Sequence, residues 1–347
     1  MNLGMRKRAK IVVNDMEING RGWYNNFVNL MAIGEGFMAD IQELRQYYVD
    51  NLKEKIFLEE KTINGKNYSI LYIHNILEEE RSFVETFTRY FPYYVWNEDQ
   101  IQYIDIDNTP DLNLQNASRK CWDSKVVPKR PTKMNGIYGE VLLDFYERIV
   151  HDRKLITTYA SRRAFQSETE SKGYDHIGYI INNSQLELVL GEAKYVTNVS
   201  SARTDLVGDI EGKYNKDGDW VQGHLTQEYF DSFLNFIIQK KDMFSEVEKN
   251  EISNLMKELN RELVLGNGEF LRYVIDHNMK VNCVFFAVFK STATKPEDLV
   301  NYYDEIYGKA IQALASMNVI NYSIEIVFIP TDARSMQIKE KIDEFYR

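Results

Sequence analysis

The chain has 347 residues, 44% of them hydrophobic and 13% aromatic, a composition that excludes a disordered chain or a solenoid and leaves room for one large or two smaller cored domains. A formal charge of −10 excludes a protein that coats nucleic acid with its whole surface, while leaving room for a local basic groove. The longest apolar runs are strand-sized and no signal-peptide core follows the basic N-terminus, so a cytoplasmic protein with no membrane contact is expected.

Residues 1–130 read as an N-terminal α+β region, with a strand over 9–13, a helix over 27–52, a strand over 70–73 and a helix over 77–89. No chemical motif stands out there, and partner docking or regulation is the expected role. Phe91-Pro92-Tyr93-Tyr94-Val95-Trp96 is aromatic enough to stack nucleobases, but a core wedge or partner-binding patch is the commoner use of such a cluster. Cys121 pairs with no Cys or His at ligand spacing, and neither does the distant Cys283, so both read as reduced thiols. Pro128 and Pro131 mark the best domain boundary, placing a second domain over 131–347. Lys125, Lys129, Arg130 and Lys133 around them are either the phosphate-facing edge of a cleft or a solvated loop.

Apolar residues at Val141, Leu142, Phe145, Ile149 and Val150 predict a helix over 136–150 with Glu140 in its first turn. A strand over 155–160 follows. Asp175 then opens an apolar run to Ile181, Asn182-Asn183-Ser184 reads as a hairpin turn, and a second run starts at Leu186, so the two should pair antiparallel. Alternation puts Glu192 and Lys194 on one face and turns His176 away from Asp175. If the pairing sets Asp175 opposite Glu192, two carboxylates and an ammonium converge, the layout of a metal-dependent nuclease. Beyond them come a helix over 202–213, helices over 227–242 and 246–265, a buried strand over 281–289, a helix over 296–317, a strand over 322–329 and a last helix over 333–346. Strands alternating with helices predict an α/β or α+β fold with a mixed central sheet flanked by helices.

Hydrolysis of a phosphodiester needs an activated water, neutralised phosphate charge and help for the departing oxygen, which a hard divalent ion supplies. Mg²⁺ takes oxygen ligands and keeps several waters, so Asp175, Glu192 and the Ala193 backbone carbonyl suffice as protein ligands, with Mn²⁺ as a substitute. Lys194 would orient or help deprotonate the attacking water and stabilise the phosphate. Glu140 would hold a water beside the ion or assist a second ion; its structural alternative is an acid favourable at a helix N-terminus. For Glu192 and Lys194 that alternative is a same-face pair in a sheet.

Glu140 in a helix, Asp175 on one strand and Glu192-Ala193-Lys194 on the next resemble the PD-(D/E)XK nuclease superfamily, whose restriction-endonuclease-like core the chain would then share. The surrounding Lys172-Gly173-Tyr174-Asp175-His176 and Leu190-Gly191-Glu192-Ala193-Lys194-Tyr195 look like the HamA family of nuclease subunits from the Hachiman antiphage defence system. By order of elements the likeness covers roughly residues 135–330. Some relatives carry Gln-X-X-X-Tyr after the lysine strand, whereas Gln222 and Gln227 are followed at that spacing by Thr226 and Asp231, which sets this chain apart from the exonuclease-like branch. The resemblance implies a DNA endonuclease with Glu140, Asp175, Glu192 and Lys194 as catalytic residues, restrained by a HamB-like helicase partner. Two other readings stay open: a catalytically inactive binding subunit of a helicase complex, and a repair or junction-processing nuclease.

Overall fold

The computed structural model describes residues 50, 56–63, 66–73, 90–95, 117, 135–151, 153–156, 174–182, 185–228, 230, 246, 249–250, 253–254, 257, 270–290 and 296–331. Chain contacts divide the protein into units 1–40 and 41–347, and every described residue belongs to the second. In chain order the elements are β1 (Ile56–Ile63), β2 (Lys66–Ile73), α1 (Asn135–Phe145), β3 (Lys154–Leu155), β4 (His176–Asn182), β5 (Gln185–Val196), α2 (Val199–Glu211), β6 (Gly212–Tyr214), β7 (Trp220–Gln222), α3 (Phe270–Asp276), β8 (Lys280–Lys290), α4 (Val300–Ser316) and β9 (Tyr322–Thr331).

Seven strands form one sheet in the order β1-β2-β9-β8-β5-β4-β3, with β6 and β7 as a separate hairpin. Val281 to Phe289 are all buried, because β8 runs through the middle, parallel to both β5 and β9, with its two faces covered. β4 and β3 close one side antiparallel, and the β1–β2 hairpin closes the other by a short parallel pairing of β2 with β9. The mixed α/β sheet predicted from the sequence is therefore the observed one, and a hairpin from the first 130 residues is part of it.

Each sheet face has its own helical cover. On one, Ala202, Leu206 and Ile210 of α2 and Tyr303, Ile306, Ala310 and Leu314 of α4 pack in a common core with Leu188, Leu190, Cys283, Phe285, Ala287 and Phe328. These are one-sided apolar stripes at helical spacing, and each large side chain buried this way contributes about 1.5–3 kcal/mol. The Asn198 side chain caps α2 by accepting the Ser201 N–H at 2.8 Å. The other face carries α1, which continues into a π-helical turn over Tyr146–Val150. Asn135–Phe145 is helical as the sequence predicted, but Glu140 lies in its second turn and not its first, and the wider π turn was not foreseen.

Several expectations shift in detail. The strand predicted over 70–73 is longer and has a partner, β1, that the charged Glu59-Glu60-Lys61 centre concealed. Of the strand expected at 155–160 only Leu155 lies in a described strand, Lys154–Leu155, and the polar stretch around Lys213 holds the β6–β7 hairpin. Helix 296–317 begins as a 3₁₀ turn, Pro296–Leu299. The strand at 9–13, the helices at 77–89 and 333–346, and Lys125, Lys129, Arg130 and Lys133 lie outside the described residues. Among the described residues no helix is long and apolar enough to cross a membrane.

Candidate active site

His176 pairs with Gly191 in the β4–β5 ladder, so Asp175, one residue ahead of β4, stands across from Glu192. A backbone contact fixes it there: the Ala193 N–H donates to Asp175 Oδ2 at 2.8 Å. In an extended strand the N–H and C=O of one residue point to the same side, so the Ala193 carbonyl also faces the β4 side of β5. Glu192 is 3% exposed, and both its oxygens are engaged. Lys194 Nζ lies 2.6 Å from Oε1 and His224 Nδ1 lies 3.0 Å from Oε2. Lys194 is held in turn by Asp209 Oδ2 at 2.6 Å, whose other oxygen takes Lys213 at 2.9 Å.

His224 reaches Glu192 because Gly223 lets the chain return against the end of α2. A Cβ at 223 would sit 2.3 Å from the Ile210 carbonyl oxygen, closer than any side chain permits. Tyr174 holds the other end of this return, donating its hydroxyl to the His224 carbonyl at 2.9 Å with the two rings in an edge contact.

Glu140 comes from the opposite cover. Gly139 brings α1 so close to β5 that a Cβ there would lie 3.3 Å from the Lys194 carbonyl carbon, and the next residue is Glu140. Its Oε2 accepts the Tyr94 hydroxyl. Phe91, Tyr93 and Tyr94 are all buried, so this part of the aromatic run is core and not a base-stacking surface.

Burial and the charges around it set the electrostatics. Burial, then the carboxylates of Glu192 and Glu140, push the Asp175 carboxyl well above the usual range. Burial also works against ionised Glu192, but the Lys194 ammonium and the His224 hydrogen bond outweigh it and lower the carboxyl to about 2. Lys194, although buried, is held well above its ordinary value by Glu192, Asp175 and Asp209.

The sequence model of the HamA family matches residues 47–346. This chain belongs to the HamA family. HamA-family membership makes it a component of Hachiman antiphage defence. The match begins at residue 47, well before the first motif that sequence reading found useful. No curated protein sequence matches the chain.

In this HamA-family fold the four residues singled out from the sequence are brought to one region, three on the β4–β5 edge and Glu140 from α1. Among the described residues no three His, Cys, Asp or Glu side chains converge as a ready metal cage. The donor set is two acids and a backbone carbonyl, which fits a Mg²⁺ ion that keeps several waters. A cation there would also relieve the buried Asp175 carboxyl of its Glu192 and Glu140 neighbours. His176 turns to the α1 face, its Nδ1 3.5 Å from Asp144 Oδ1, as alternation required. Tyr195 also lies on that face, 5.5 Å from the Tyr138 ring.

Sequence reasoning missed Asp209, His224, Tyr174 and Tyr94. Asp209 had a signal: it follows Leu206 by three residues on the buried stripe of α2, where an acid needs a partner. His224 and Tyr94 had none, because their contacts join segments far apart in the chain.

Beyond the site, α1 and its π turn carry a second polar cluster. Glu147, 0% exposed, accepts Arg153 at 2.8 and 2.6 Å, and Arg153 reaches Glu325 at 3.2 Å. The Tyr146 hydroxyl also donates to Glu325.

Proposed function

We propose that this chain is a Mg²⁺-dependent DNA endonuclease, the effector of its defence system, restrained and targeted by a HamB-like helicase. The observation that carries the reading is the meeting of Asp175, Glu192 and Lys194 on one strand edge, with Glu140 close enough for its charge to raise Asp175. Asp175, Glu192 and the Ala193 carbonyl would hold the ion, with Glu140 beside them. Mg²⁺ supplies charge neutralisation on the scissile phosphate and a more acidic water.

The chain's own groups do the rest. Lys194 carries a positive charge to the phosphate and orients the attacking water, provided it exchanges its Glu192 contact for substrate. Asp209 keeps hold of that ammonium during the exchange. Glu140, steadied by Tyr94, accepts a hydrogen bond from a water at the edge of the site. The β5 edge, buried against α1 and α2, excludes bulk water from these contacts and strengthens each of them.

One observation favours a second reading, an inactive binding subunit: both Glu192 oxygens are already occupied by Lys194 and His224. Plasmid nicking separates the two. Wild type and Glu192→Ala/Lys194→Ala are compared in Mg²⁺ and in EDTA, each with and without the helicase. Metal-dependent cleavage lost in the variant and suppressed by the helicase is the expected result. No cleavage by wild type in any state would transfer the function to the binding reading.

A further inference from the structure

Between Asp209 and His224 the chain makes an excursion that the proposed chemistry does not use. β6 leaves α2 at Gly212, β7 returns to Gly223, and the hairpin holds Tyr214 73% and Trp220 56% exposed, their ring centroids 5.0 Å apart in an edge contact. The other large apolar side chains exposed among the described residues, Ile181 and Ile320, are aliphatic.

The hairpin is firmly built. Asn215 accepts the N–H groups of Asp217 and Asp219 at 2.9 and 2.8 Å, and its own N–H donates to the Asp219 carbonyl at 2.8 Å. Gly218 takes the left-handed turn position at φ +85. The Trp220 ring lies over Gly212, where a Cβ would come within 2.4 Å of it, so the backbone covers part of the indole and the remainder faces outward.

Its position suits a nucleic acid strand. Lys213 and Lys216 flank Tyr214 along the chain while Asp217 and Asp219 lie at the turn, so the exposed rings and not net charge would make the contact. Asp209 is neutralised between Lys194 and Lys213, and Glu211 pairs with Lys309 at 2.8 Å. Asp209 thus joins the foot of the hairpin to the site's own lysine, and His224 joins its return to Glu192.

We propose that Tyr214 and Trp220 form a stacking platform for an unpaired nucleobase of the strand that enters the active site. The inference rests on the nuclease reading for what enters, and goes beyond it by naming single-stranded or frayed nucleic acid as the ligand. Stacking on an aromatic ring tolerates any base, because every base has a π face. A protein-docking surface would call for a contiguous apolar patch of several hundred Å², and two rings on a narrow hairpin are too small for that.

The test uses the full chain in EDTA, where binding is read without cleavage, and a single-stranded oligonucleotide carrying 2-aminopurine. Wild type is compared with Tyr214→Leu/Trp220→Leu, which keeps an apolar cover on Gly212, and with Tyr214→Phe/Trp220→Phe, which keeps the rings; melting curves check that all are folded. Stacking quenches the probe with wild type and the Phe variant, and the Leu variant binds about 5- to 100-fold more weakly. Equal binding by the Leu variant, or no binding by wild type, overturns the platform. So does a Leu variant that keeps oligonucleotide binding but no longer co-purifies with the helicase, which would make the hairpin a protein dock. Ring-dependent binding without cleavage by any form would retain the platform and remove the nuclease reading; metal-dependent cleavage with ring-independent binding would do the reverse.

Discussion

His224 Nδ1 stands 3.0 Å from Oε2 of Glu192, while Lys194 takes Oε1 of the same carboxylate at 2.6 Å. An ionised carboxylate only accepts, so His224 donates there. An arriving Mg²⁺ must therefore compete with a histidine as well as a lysine. His224→Ala should tighten Mg²⁺ binding by about tenfold or more, the worth of one hydrogen bond to a charged group. Calorimetric titration of the full chain reads this directly; weaker binding would mean that His224 holds the carboxylate in its ligating pose.

Arg153 is the partner that makes a fully buried Glu147 tolerable. Arg153→Met leaves that acid alone in the interior and should cost about 3–5 kcal/mol, whereas Arg153→Met/Glu147→Met should recover much of the loss. Denaturant unfolding of both variants tests the coupling, which is absent if the single and double variants unfold together.

Two buried acids on α1 and its π turn should act oppositely on stability as pH changes. Burial alone would raise Asp144, but Arg148, His176 and the Tyr90 hydroxyl prevail and hold it below its ordinary 3.8. Its folded form is the better acid, so its stabilisation is present above that value and disappears as pH falls through the lower folded value. Burial holds Glu147 above its ordinary 4.5 despite His176 and Arg153. The folded state then keeps a proton the unfolded chain releases, and stability declines as pH rises from 4.5 towards the higher folded value. Asp144→Asn should flatten the acid side of the stability curve and Glu147→Gln the opposite slope, both measured by unfolding across a pH series.

Gly139→Ala separates fold from site. Alanine is favoured over glycine in a helix by about 1 kcal/mol, which offsets the mild crowding of a Cβ against the Lys194 backbone. The melting temperature should move by only a few degrees while α1 retreats a few tenths of an ångström and takes Glu140 with it. Cleavage that falls without loss of stability is the expected pattern; unchanged cleavage would remove Glu140 from the working site.

The site was legible where its signals were local. Asp175, Glu192 and Lys194 sit on a hairpin whose turn and alternation are written in some twenty consecutive residues, so their convergence could be read before any coordinates. Asp209 was half-legible, as an acid on a buried helical stripe within a polar-looking stretch. Tyr94 meets Glu140 across 46 positions, a contact made by tertiary packing alone. β1 was hidden because charges interrupt its alternation, and β6–β7 because a short polar hairpin carries no apolar run to count.

Asp209, Lys194 and Glu192 form a chain of alternating charges. Many small metal sites cannot assemble until the cation arrives, since bare carboxylates repel one another. Here Lys194 already offsets the Glu192 and Asp209 charges inside the protein, so on the proposed reading folding does not wait for the ion. Synthesis and arming would then be separate events, and chelation should disarm the protein without unfolding it.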